Sequence, residues 1–83
     1  MTNTEIVGKL QAYARELRQR HENLYRVKAY RLAAETLMRL DKSVEDLVLQ
    51  KGRNALESLP GIGRHLAETI TTFVETGEWR AKN

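Results

Sequence analysis

Cysteine is absent from the chain, so it offers no disulfide, no thiolate nucleophile and no cysteine-ligated zinc. The two histidines, His21 and His65, stand in unrelated local contexts and do not suggest a transition-metal site. No apolar run approaches the roughly 20 residues that cross a bilayer, and no membrane association is expected. The polar, acidic start Met1-Thr2-Asn3-Thr4-Glu5 has the wrong chemistry for a signal peptide. Together these absences lead to the expectation of a soluble, cytoplasmic protein. A chain of 83 residues holds one domain, residues 1–83, with a single core. At this size only about 60% of the unfolded surface can be buried, so modest stability is expected.

Proline and glycine are also scarce, at one and five residues. No segment alternates with a two-residue period, so no sheet is expected. The periodicity is helical throughout. Ile6, Val7, Leu10, Tyr13, Ala14 and Leu17 recur at three- and four-residue steps, the spacing of one buried helix face. That helix is expected from about Thr4 to Arg20, with Thr2 and Glu5 as a capping box and Thr4 as a competing cap. A second helix opens at Glu22 or Asn23 and buries Val27, Tyr30, Ala33, Ala34 and Leu37, with Met38 beside them and Leu40 near its end. Ser43 with Asp46 forms another capping box, introducing a short helix that carries Val44, Leu47 and Val48. Gly52 follows where left-handed caps favour glycine. A further turn covers Asn54–Ser58. A last helix runs from Arg64 to about Thr76, with Leu66, Ala67, Ile70, Phe73 and Val74 inward and Gly77 as its cap. The expected fold is all-α, a compact bundle of four to five short helices.

Charge is unevenly spread. Seven basic residues (Lys9, Arg15, Arg18, Arg20, Arg26, Lys28, Arg31) face two acids (Glu16, Glu22) between positions 9 and 31. Such a stretch is either a solvated helix face or a surface that meets a polyanion. The most specific pattern lies further on, in Leu59-Pro60-Gly61-Ile62-Gly63-Arg64-His65-Leu66-Ala67, with Ile70 one turn later. Two glycines around one aliphatic residue, between two helices, imply a tight turn with unusual backbone angles and close approach. Ile62 pins it to the core, while Gly61 and Gly63 leave their amides bare at the positive end of the next helix, a ready anion site. A phosphate held this way conveys no base identity. Arg64 adds a charge-assisted bond to the same strand. This is a helix-hairpin-helix, and DNA-backbone binding is its expected role.

Set beside Ala29-Tyr30-Arg31-Leu32-Ala33-Ala34, the run from Leu59 to Gly77 resembles the amino-terminal lyase domain of family X DNA polymerases. The likeness covers nearly the whole chain. It implies a domain that binds gapped or single-stranded DNA and its 5′-phosphate in DNA repair. It also implies a monovalent cation, Na+ or K+, held by the backbone carbonyls of Glu57, Leu59 and Ile62. The family's Schiff-base lysine falls on Thr69, whose hydroxyl cannot form an imine. Its phosphate-binding lysines fall on Arg26 and His65, its glutamate on Glu68, its tyrosine on Tyr30, and a further basic position in the tail on Lys82. The resemblance therefore implies a phosphate pocket without its nucleophile. The polymerase's nucleotidyltransferase domain has no counterpart in this length, so either a free-standing monomer or part of a larger repair polypeptide is expected, associated with the nucleoid.

Several residues carry two readings. Tyr25 either stacks an exposed base beside Arg26 or is an ordinary half-buried tyrosine. His65 either contacts phosphate or idles on the surface. Glu68 is a relic of the family site or an ion-pair partner of Arg64. Trp79 folds back over the core. The candidate DNA contacts are thus Tyr25, Arg26, Lys28, Arg31, Gly61, Ile62, Gly63, Arg64, His65 and Lys82. Two other functions stand beside DNA binding: an abasic-site lyase that uses Lys28 or Lys82 as a relocated nucleophile, and a protein-interaction module whose hairpin packs on a partner.

Overall fold

A computed structural model describes residues 1–81, so Lys82 lies outside the described residues. Five helices follow in order: α1 (Asn3–Gln19), α2 (Leu24–Met38), α3 (Val44–Lys51), α4 (Arg53–Glu57) and α5 (Arg64–Thr76). No strand occurs among the described residues.

The start of α1 is set by Thr2, not Thr4. The Thr2 hydroxyl accepts the Glu5 amide at 3.2 Å, and the Glu5 carboxylate accepts the Thr2 amide at 3.1 Å. Those two bonds satisfy end-turn amides reciprocally, and the Thr2 amide donating to the Glu5 carboxylate holds that carboxyl below its usual range. The end of α1 carries a signal that the apolar pattern does not contain. His21 adopts a left-handed backbone (φ 58°), its amide donates to the Arg18 carbonyl, and the Glu22 amide reaches back to Leu17 at 2.9 Å. This paired closure is the usual way a helix terminates, with histidine standing where glycine is commoner.

Asn23 caps α2 by accepting the Tyr25 amide, and Ser43 caps α3 by accepting that of Asp46. Asn3 links the two halves of the chain: its side-chain amide donates to the Lys42 carbonyl and its oxygen accepts from the Val44 amide. Gly52 does more than close α3. Its φ of 76° is that of a left-handed cap, but ψ of −172° redirects the chain, so one residue ends α3 and begins α4.

Helices α1 and α2 form an antiparallel pair, with Tyr13 against Tyr30 and Gln11 beside Met38. The expected stripes of both are buried, except that Met38 is 60% exposed. One residue past Leu37 is a rotation of about 100°, which carries Met38 out of the core and over the α1–α2 groove. Helices α3, α4 and α5 close the other side, and Leu10, Leu17, Tyr30, Leu37, Leu56 and Ile70 meet at the centre. Each fully buried side chain of this kind contributes about 1.5–3 kcal/mol. Leu47 and Val74 are only half-buried. After the Gly77 cap (φ 77°) the chain turns back, and Trp79 packs edge-on to Tyr13 and Phe73.

Candidate nucleic-acid interface

The hairpin begins where α4 ends. The Leu59 amide donates to Leu56, and the Ile62 amide donates to the Leu59 carbonyl at 3.1 Å, which folds residues 59–62 into a turn. Ile62 is 3% exposed and anchors that turn in the core. The glycines on either side of it are not equivalent. Gly61 has φ 76°, and a Cβ built there would lie 2.7 Å from Leu32 Cγ, so any side chain there is strained in its backbone and displaces Leu32. Gly63 is extended (φ −86°, ψ −175°) and has open space where a Cβ would go. The expectation of unusual backbone angles therefore holds at Gly61 alone.

What seats the hairpin is the exposed side of α2. Leu32 supports the Gly61 backbone, and the Thr36 hydroxyl donates to the Pro60 carbonyl at 2.7 Å. Neither residue is predicted from sequence. Their signal is present all the same, since Tyr25, Lys28, Leu32 and Thr36 follow three- and four-residue steps and share one stripe of α2.

With Ile62 turned inward, both neighbours face out. Gly61 and Gly63 are exposed, and their amides make no hydrogen bond within the domain. Gly63 is the N-cap of α5 and no side chain caps that helix. Bare amides at the positive end of a 13-residue helix form an anion-binding concavity. Arg64, whose side chain is 77% exposed, and the exposed His65 flank it. Glu68 lies 3.8 Å from Arg64 but pairs more closely with Arg53, at 2.8 Å, so its main tie is to α4.

The remaining candidates fall into three places. Tyr25 (81% exposed) and Lys28 lie on the α2 stripe that leads from the hairpin. The exposure of Tyr25 removes the half-buried reading. Arg26 is held inside: its guanidinium meets Glu22 at 3.5 Å and the Tyr13 hydroxyl at 3.4 Å, and it is partly buried. Although burial opposes the charge, the tyrosine hydroxyls outweigh it and hold the Arg26 pKa above its usual value. Arg31 is rotated about 100° from Leu32 and lines the α1–α2 groove with Arg15 and Glu35.

Thr69, onto which the resemblance to the family X lyase domain carries the lysine, is 5% exposed. Its hydroxyl donates to the His65 carbonyl, and it lies beside the Tyr30 hydroxyl, whose pKa is pushed up by burial. The Leu59 carbonyl already accepts one amide, leaving a single lone pair for any cation. Among the described residues no cluster of acidic or histidine side chains is arranged to hold a metal ion.

The sequence pattern of the helix-hairpin-helix domain matches residues 1–79. The chain belongs to the helix-hairpin-helix domain family. This helix-hairpin-helix domain is a nucleic-acid-binding module. Comparison with curated proteins returned no match. No helix is long and apolar enough to cross a membrane among the described residues.

Proposed function

We propose that the domain binds DNA without sequence preference, taking a backbone phosphate on the amides of Gly61 and Gly63 and favouring gapped or single-stranded DNA with a 5′-phosphate. The observation that carries this reading is the pair of exposed, unpartnered amides at the uncapped start of α5. Arg64 and His65 supply side-chain donors beside the phosphate. Tyr25 offers an open ring for a base two turns along α2 from the hairpin, with Lys28 between them on the strand's path. The half-buried Arg26 acts from behind, adding positive potential near the site while it braces Tyr13.

The likeness to the family X lyase domain supports a role in DNA repair, in the cytoplasm at the nucleoid, as a monomer or within a larger repair polypeptide. Lys82 belongs to the same proposed contact set. The carbonyls of Glu57, Leu59 and Ile62 are neutral, hard oxygens, a donor set that suits Na+ or K+, and their role is to hold the turn in shape.

Fluorescence anisotropy with three DNAs tests the reading: a gapped duplex with a 5′-phosphate, the same gap with a 5′-hydroxyl, and an intact duplex. The phosphorylated gap is expected to bind most tightly at moderate salt, with affinity falling steeply as salt rises. Equal binding of all three sinks the gap preference. The lyase alternative rests on Lys28, which is exposed on the same α2 stripe. Borohydride trapping on an abasic-site substrate is expected to give no adduct, and a covalent band that Lys28→Ala abolishes would establish the enzyme instead.

A further inference from the structure

The arginines of this domain are paired very unevenly. Arg53, Arg64 and Arg80, outside the α1–α2 pair, each face a carboxylate, as do Arg20 and Arg26 within it, while Arg39, just past α2, does not. Within α1–α2, Arg15, Arg18 and Arg31 form no ion pair and no hydrogen bond. All three are exposed. They are also gathered together. Gln11, Arg15 and Arg18 lie at four- and three-residue steps along the flank of α1 that faces α2. Arg31 stands across from them, and Arg15 and Arg31 line one groove. Arg18 does not line that groove; it adjoins it through Arg15, with which it shares a neighbouring hollow on α1. The groove's one acid, Glu35, is four residues from Arg31 on the same helix yet forms no ion pair with it.

Three guanidinium groups without internal partners repel one another, and an external anion relieves that repulsion. Each presents a planar fork of donors that matches phosphate oxygens. The groove is not part of the hairpin site. Leu32 and Thr36 face the hairpin, whereas Arg31 points about 100° away from Leu32, toward α1. The exposed crest of α2, with Lys28 on it, joins the two.

We propose that the α1–α2 groove, with Arg18 adjoining it, is a second DNA contact, where Arg15, Arg18 and Arg31 take phosphates of the same strand several nucleotides from the one at the hairpin. This inference rests on the hairpin reading, because the strand is anchored there and runs over α2 into the groove.

Anisotropy titrations over a range of salt test it, with single strands carrying a 5′-phosphate and measuring about four or about twenty nucleotides, short enough for the hairpin alone or long enough for both sites. The double variant R15Q/R31Q is expected to bind the long strand about tenfold or more weakly than the parent. The slope of log K against log salt is expected to become shallower by about 1.4, the share of two phosphates on a single strand. Its binding of the short strand stays unchanged. R15K/R31K, which keeps both charges, restores the slope. R64Q weakens both strands. An unchanged long-strand slope in R15Q/R31Q, with R64Q still weakening, overturns the groove and leaves the hairpin reading intact. Equal weakening of both strands by R15Q/R31Q overturns the separation of the two sites. If neither R15Q/R31Q nor R64Q alters binding, the hairpin reading itself falls and the groove falls with it.

Discussion

Two points on α5, about a turn and a half apart, are built in opposite ways. At the amino end the backbone is bare: Gly63 provides no side chain, no cap covers the first turn, and Arg64 and His65 project into solvent. At Thr69 the surface is sealed: the residue is 5% exposed, its hydroxyl is spent on the His65 carbonyl, and Tyr30 stands beside it. The first place suits a ligand that arrives from outside and needs only fixed dipoles. The second has neither a nucleophile nor the room for one. One helix thus carries both an open, uncapped start and a sealed position.

The largest expected effect comes from breaking the sealed end. Thr69→Lys forces an ammonium among Tyr30 and the core, next to the charge of Arg26. It is expected to cost about 3 kcal/mol or more, as an uncompensated buried charge does. Urea denaturation reads this directly, and a loss under about 1 kcal/mol would show that the position is open after all.

The open end is probed by its two glycines. Gly61→Ala meets both the left-handed backbone and Leu32, and is expected to cost about 1–2 kcal/mol of stability. Gly63→Ala, at an extended N-cap with open space, is expected to cost less than about 1 kcal/mol while still weakening DNA binding, because its methyl would stand in the way of the proposed phosphate. Melting and anisotropy on the pair separate support from contact. The opposite order of stabilities contradicts the different roles given to the two residues.

The smallest effect belongs to Tyr30→Phe. The Tyr30 hydroxyl is buried without a well-formed hydrogen bond, so its removal is expected to change stability at neutral pH by about 0.5 kcal/mol or less. At high pH the two proteins part. Burial raises the phenol above its ordinary 10.0, so the folded chain keeps a proton that the unfolded chain releases. That stability is complete below about pH 10 and disappears as pH rises through the folded value. Thermal melts across this range should show a steeper alkaline loss for the parent than for Tyr30→Phe. Parallel curves would remove burial as the dominant influence on this group.

Most of the fold was legible because it rests on local chemistry. Thr2 with Glu5, Asn23, Ser43 and Gly77 mark helix ends through bonds to residues only a few positions away. Spacing alone locates the buried faces. What escaped is whatever depends on a second element. Leu32 reads as an unexceptional surface leucine until the hairpin lies on it, and Thr36 until Pro60 arrives. Arg26 and Arg31 look alike in sequence, but Tyr13 and Glu22 occupy the first while the second turns to Arg15. Glu68 sits four residues from Arg64, yet its closer partner, Arg53, is fifteen positions away. His21 escaped for another reason: a left-handed histidine carries no periodic signal, and glycine is the residue usually sought there.

Trp79 is the only tryptophan in the chain, and its ring lies between Tyr13 of α1 and Phe73 of α5. The domain therefore carries its own optical gauge, set over the seam between its first and last helices and away from the glycine turn. Indole emission reports whether that seam is shut, and a labelled oligonucleotide reports whether the turn is occupied. Damage to the scaffold and damage to the grip become two signals from a single cuvette.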